Sequence, residues 1–146
     1  MNAAESQLEI VILCNRSDVF LTRICVASIR YYYPGVAIHI VKDEVNGRFS
    51  TSSLEKAFKV EVLDLGLKNY GWCTGKISVL LSGKLAGRKI LLLDSDIVFI
   101  GKVLDTLLPH LHSADFIVSP EYVSDPESDW FPKIYYDTSW ARQHFS

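Results

Sequence analysis

Two carboxylates lie inside the most apolar stretch of the chain, Ile90-Leu91-Leu92-Leu93-Asp94-Ser95-Asp96-Ile97-Val98-Phe99-Ile100. In an extended backbone residues i and i+2 point the same way, so Asp94 and Asp96 are expected to present oxygens to one point. Like charges this close, flanked by core residues, repel and are costly to desolvate, so something should compensate them. A hard divalent cation does so: Mg²⁺ takes one or two carboxylates together with substrate phosphates and water, and Mn²⁺ accepts the same oxygen ligands. The bland alternative is a turn between two strands, which is what most isolated D-x-D triplets are. Here the motif closes an apolar strand of an α/β pattern, the end at which ligands bind in such sheets.

The elements that would position this motif follow from short apolar runs alternating with helical periodicity. Residues 9–14, 36–41, 60–64, 89–94 and 115–119 read as five strands, apolar on both faces where they are longest, as buried parallel strands are. Asn15-Arg16-Ser17-Asp18 supplies turn and cap chemistry ahead of a helix. Phe20, Ile24, Ala27 and Tyr31 recur at spacings of four, three and four, a stripe expected to face the core, and Pro34-Gly35 ends that helix. A short helix is expected over 53–58. Cys73, Ile77, Leu80, Leu81 and Leu85 trace another stripe that Gly87 stops, and a last helix is expected over 104–111. Strand and helix in alternation predict a mostly parallel sheet with helices on both faces.

Composition narrows the functional classes. The chain has 146 residues, one domain's worth, with 49% hydrophobic residues, which excludes intrinsic disorder. Fifteen Lys+Arg against 17 Asp+Glu gives a net charge of −2, leaving no basic field for nucleic acid. No apolar run approaches the ~20 residues of a membrane span, so no transmembrane segment is expected. Residues 1–9 lack the basic and apolar regions of a secretory signal. Cys14, Cys25 and Cys73 are too few and scattered for a disulfide framework or zinc site; they read as buried thiols of a reducing, by default cytoplasmic, compartment. His110 and His112, beyond a helix end, read as a surface pair.

The string from Lys76 to Asp105 resembles the signature of GT-A fold nucleotide-sugar glycosyltransferases, nearest the glycogenin-like, glycosyltransferase family 8 type. It has a Lys-bearing helix, a tight turn, an apolar strand, the D-x-D, a second short strand, and a helix start at Val103-Leu104-Asp105-Thr106-Leu107. The strand ending at Asn15 resembles the family's nucleotide-binding opening, and the resemblance spans about residues 8–119. It implies a Rossmann-like GT-A fold and a metal-dependent transferase that moves a sugar from a nucleotide-sugar, usually a UDP-sugar, to an acceptor. It implies that Asp94 and Asp96 hold Mn²⁺ or Mg²⁺ against the diphosphate, with Asp94 and Ser95 near the ribose or donor sugar. It further implies that Lys76 approaches the diphosphate and that Cys14 and Asn15 hold base and ribose. Without the resemblance, Lys76 reads as a solvated helix lysine and Asn15 equally as a helix-start turn residue.

Members of this type carry a third metal ligand, usually His, and acceptor-binding residues in a later half, which residues 120–146 do not match. The expectation is a nucleotide-sugar-binding α/β domain over 1–119, apparently truncated. An aromatic-rich tail over 120–146 would then begin a missing acceptor-side region. That tail, with Trp130, Phe131, Tyr135, Tyr136 and Trp140, is also where self-association is expected. The acceptor, whether glycan, protein or lipid, is not legible. Two other readings stay open: a UDP- and metal-binding module without transferase activity, and a nucleotidyltransferase. The latter class usually opens with a Gly-rich loop, and Cys14-Asn15-Arg16-Ser17-Asp18 has no glycine.

Overall fold

The computed structural model describes residues 3–115 and 117. All but two of these belong to a first unit, Met1–Ala114. The apolar run expected as the first strand forms β1, Glu9–Asn15, and takes the middle of the sheet. It pairs in parallel with β2, Ala37–Asp43, on one side and with β4, Ile90–Leu93, on the other. β3 is the two-residue Glu61–Val62, paired in parallel with the outer side of β2. The sheet is therefore all-parallel and four-stranded, in the order β3-β2-β1-β4.

A strand hydrogen-bonded on both sides and covered on both faces must be apolar at every position, and the side-chain period of two divides β1 cleanly. Ile10, Ile12 and Cys14 enter one core cluster with Ile38 and Ile40; Val11 and Leu13 enter another with Val41, Ile90 and Leu92. The first cluster is closed by α2, Val19–Tyr32, through Cys25, Val26 and Ile29, by Leu54 of α3, Ser52–Phe58, and by Leu104 of α5, Val103–Leu107. The second is closed by Tyr70 and Val79, the latter on α4, Gly71–Leu81. Helices thus cover both faces of an α/β fold. Among the described residues, no helix is long and apolar enough to cross a membrane.

Several expectations are corrected. A short helix, α1, covers Ala3–Gln7, where none was expected; Glu5 accepts a hydrogen bond from the backbone N–H of Gly35 at 2.8 Å. β2 runs on to Asp43 because its ladder with β1 continues to the Asn15–Asp43 pair. α4 stops at Leu81, short of Leu85: Gly83 takes φ +67°, the left-handed step that ends helices. The helix expected over 104–111 is α5 followed by a 3₁₀ turn over Leu108–His110, since Pro109 brings no N–H to continue an α-helix. No strand forms over 97–100. There the chain leaves the sheet for α2: the Phe99 N–H donates to Ser28 Oγ at 2.9 Å and the Phe99 ring meets Tyr33 edge-on. The strand expected over 115–119 and the aromatic segment 120–146 lie outside the described residues, Asp115 and Ile117 apart.

The stripe expected on α2 faces outward, and so do Ile77, Leu80 and Leu81 of the one expected on α4, whereas Leu85 packs against the second cluster. On α2, Thr22, Cys25, Val26 and Ile29 are buried, while Phe20, Ile24 and Tyr31 are exposed. The true inner face also carries Thr22, which looks polar, yet its hydroxyl is satisfied within the helix, donating to the Asp18 carbonyl at 2.9 Å. On α4, Ile77, Leu80 and Leu81 are exposed, and Gly75 and Val79 turn inward.

At the amino end of the sheet a ladder of charges crosses the strands. Arg88 donates to Glu9 Oε1, His39 Nε2 lies 2.8 Å from Glu9 Oε2, and His39 Nδ1 lies 3.8 Å from Glu61. A carboxylate cannot donate, so Nε2 carries the proton when Glu9 is ionised. Burial pushes the Glu9 carboxyl up, but the hydrogen bonds and charges of Arg88 and His39 outweigh it and hold Glu9 below its ordinary value. A carboxyl depressed in the folded state stabilises the fold above its unfolded value of 4.5 and loses that contribution as pH falls through the lower folded value. Between about pH 5 and pH 3 the thermal midpoint of the wild type should therefore fall more steeply than that of Glu9→Gln. Equal slopes in a calorimetric series would show the ladder to be uncoupled from folding.

Candidate functional site

In this strand order the chain steps outward from β1 to β2 to β3 and then crosses back to β4 on the far side of β1. β1 and β4 therefore lie side by side where the strand order reverses, the place at which open α/β sheets take ligands, although the helices that follow them, α2 and α5, both lie on the face of the first cluster. Asn15 ends β1, and Asp94 follows Leu93 at the end of β4.

Asp94, Ser95 and Asp96 form a tight turn rather than an extended segment: the Ile97 N–H donates to the Asp94 carbonyl at 3.4 Å. The expectation that both carboxylates share one side of a strand is corrected accordingly, because β4 ends at Leu93 and the chain bends toward α2. Asp94 continues the alternation of Ile90 and Leu92 and meets α4 on that face of the sheet, where Lys76 Nζ lies 2.7 Å from its Oδ1. Both side chains are partly open to solvent. Ser95 is buried and Asp96 is exposed. Asp96 acts toward α2. Burial, with the Asp96 charge added, pushes the Cys25 thiol up to about 12, and the Cys25 sulfur lies 4.0 Å from the Asp94 carbonyl oxygen.

On the β1 side, the Asn15 side chain builds the turn into α2. Its Oδ1 accepts from the Ser17 N–H at 2.8 Å and from the Ser17 hydroxyl at 2.6 Å, and its Nδ2 donates to Asp18. The helix-start role is thus the one its hydrogen bonds display. Cys14 lies wholly in the core, its thiol pushed up by burial. The buried-thiol expectation holds for Cys14 and Cys25.

Asp43, read from the sequence as loop, is a buried carboxylate at the carboxyl end of β2, in register with Asn15. Its Oδ1 accepts from the Val45 and Tyr70 N–H groups, each at 3.1 Å, and so ties the loop after β2 to the residue that precedes α4. The legible signal was an aspartate two residues beyond the apolar run that ends at Val41, with Lys42 between them. Beside it Gly47 takes φ +99°, and a Cβ there would meet Arg16 Nη1 at 3.3 Å, so the loops after β1 and β2 touch through Arg16.

Lys76 owes its position to its neighbour. Gly75 presses α4 against β1 so closely that an added Cβ would meet Leu13 Cδ2 at 2.1 Å and Cγ at 3.1 Å. With any other residue at 75 either the Leu13 side chain or the helix, with Lys76 on it, would have to shift. Among the described residues, no three His, Cys, Asp or Glu side chains gather closely enough to hold a metal by themselves. No protein-family model matches this chain, and no curated protein matches it.

Gly75→Ala should lower stability by about 1–2 kcal/mol, overpacking costing roughly 1–3 kcal/mol and the better helix propensity of Ala offsetting up to ~1. Urea midpoints measure this; an unchanged or raised midpoint would show that Leu13 moves aside at no cost. Separately, Cys14 and Cys25 should resist iodoacetamide in the folded protein at about pH 8 and react after unfolding, because so little thiolate forms. Peptide mapping of native Cys25 in alkylated form would show that the 94–97 turn opens.

Proposed function

We propose that the chain binds the donor of a metal-dependent, GT-A-type sugar transfer, a nucleoside-diphosphate sugar with UDP as the nucleotide. The observation that supports this most is the Lys76–Asp94 ion pair at the carboxyl end of the parallel sheet. An ammonium held by a solvent-open carboxylate at that end is a ready phosphate partner. Exposed pairs of this kind are worth about 0–1 kcal/mol, so exchanging one partner for a ligand costs little.

In this reading Asp94 and Asp96 would hold Mn²⁺ or Mg²⁺, which supplies positive charge to the leaving diphosphate when bound. Lys76 gives up Asp94 and turns to the same diphosphate, stabilising the charge that develops as the anomeric C–O bond breaks. The acceptor oxygen forms the new bond to that carbon, and its hydroxyl proton passes to the departing diphosphate, which takes the electron pair of the broken bond. Ser95 and the Asn15 turn form the walls nearest the ribose and base. Cys14 would contribute only backbone there, its side chain being in the core. The two buried thiols suit a reducing compartment such as the cytoplasm.

Calorimetric titration with UDP, in the presence and absence of Mn²⁺, tests this. UDP affinity should rise about tenfold or more with Mn²⁺, within the usual range of coupled binding. UMP, which lacks the second phosphate, should show little of that gain. Asp96→Ala should remove the Mn²⁺ dependence and Lys76→Ala should weaken UDP, both with unchanged circular dichroism. Equal UDP affinity with and without the metal would refute the reading.

A further inference from the structure

The stripe on α2 that periodicity assigned to the core is a second apolar face. At 100° per residue, Phe20, Ile24, Ala27 and Tyr31 cluster about 180° from the buried Thr22, Cys25, Val26 and Ile29. Phe20 is 70% exposed, Tyr31 81% and Ile24 39%. A helix apolar on two opposite sides is built to be packed on both, and the spacing of four, three and four is that of a helix-pairing seam.

We infer that this face pairs with a second copy of the same chain, α2 against α2 and antiparallel about a two-fold axis. The seam is complementary to itself in that direction only. With the axis midway between Ile24 and Ala27, each Ile24 falls opposite the Ala27 of the other copy, and each Phe20 opposite its Tyr31. The larger aliphatic fills the room the alanine leaves, and aromatics close both ends. Parallel pairing would instead set alanine on alanine and leave a gap, which is costly. Alanine at the crossing also allows the helix axes to approach toward the lower end of the usual ~8–10 Å.

The charges beside the seam do not oppose this. Arg30 is spent within its own chain, donating to the carbonyls of Phe58 at 2.8 Å and Lys59 at 3.1 Å and to that of Val36. Arg23 donates to Ser53 Oγ at 3.0 Å. In the antiparallel register Arg23 falls opposite Ser28 of the other copy, so no like charges meet.

The size of the face sets the strength. An aromatic side chain carries about 150–250 Å², so the exposed parts of these residues and of Leu21 beside them offer roughly 400–500 Å² per copy. Two copies together would bury about 800–1,000 Å², below the about 1,200–2,000 Å² total of a standard stable interface, so the dimer is weak and concentration-dependent. This inference does not depend on the proposed nucleotide site.

Sedimentation equilibrium of the full chain up to about 0.5 mM tests it, with a dissociation constant near ~0.1 mM expected. Ile24→Lys and Ala27→Glu should each weaken association at least about fivefold, with circular dichroism and thermal midpoint near the wild type, since both positions face solvent in the single chain. Mixing the two variants should restore dimer, because Lys at 24 then meets Glu at 27 across the two-fold, and about 1 M salt should weaken that restored pair. A wild type that stays monomeric, an association that both substitutions leave unchanged, or a mixture that recovers nothing would each overturn the proposal.

Discussion

The register of β1 between β2 and β4 is the constraint on which the other placements depend. A parallel strand in the centre of a sheet has partners on both edges and cover on both faces, so none of its positions is free to face water. Its even-numbered residues commit α2, α3 and α5 to one side, and its odd-numbered residues commit α4 to the other. Continuing the same alternation through β4 brings Asp94 to the side where α4 lies, and Leu13 meets Gly75 there at a distance only glycine tolerates. Slipping β1 by one residue would exchange the two cores and separate Lys76 from Asp94.

The sheet was legible in the sequence because a doubly covered strand leaves a continuous apolar run, and the runs at 9–14, 36–41 and 89–94 contain or overlap three of the four strands found. The strand at 60–64 shrank to Glu61–Val62, since an edge strand is held on one side only. Helix faces were not legible. Periodicity locates an apolar stripe, but it cannot say which of two stripes meets the sheet, and on α2 and α4 the inner face mixes Cys25, Val26, Ile29 and Val79 with two residues that score poorly as core, Thr22 and Gly75. Each is small, and smallness is what lets a helix lie close to a sheet.

The candidate site divides along the same line. That Asp94 follows a buried strand could be read from the apolar run before it. The turn at 94–97 could not, because Ile97, Val98, Phe99 and Ile100 look like a strand, whereas their course is set by Ser28 and Tyr33 on a helix some seventy residues earlier. Asp43 was hidden for a related reason. Its partner Tyr70 stands 27 residues away, and only the fold brings them together.

The two ends of the sheet carry the same kind of chemistry arranged for opposite ends. At the amino edge Glu9 is almost enclosed, engaged by both Arg88 and His39, and held below its ordinary pKa. A carboxylate satisfied twice and shielded from water cannot release one partner without leaving a buried charge short of a hydrogen bond, which is expensive. At the carboxyl edge the Asp94 side chain is 62% exposed and meets a single cation, which water or another ligand can replace for at most about 1 kcal/mol. Only the second arrangement can exchange partners without disturbing the strands beneath it. Lys76, moreover, is carried by a helix pinned at Gly75 rather than by a loop, so its backbone keeps its place at the carboxyl edge whether or not Asp94 retains the ammonium. In the reading proposed above, a lysine placed by the scaffold and a carboxylate free to take a different cation would serve a diphosphate bound together with a divalent metal.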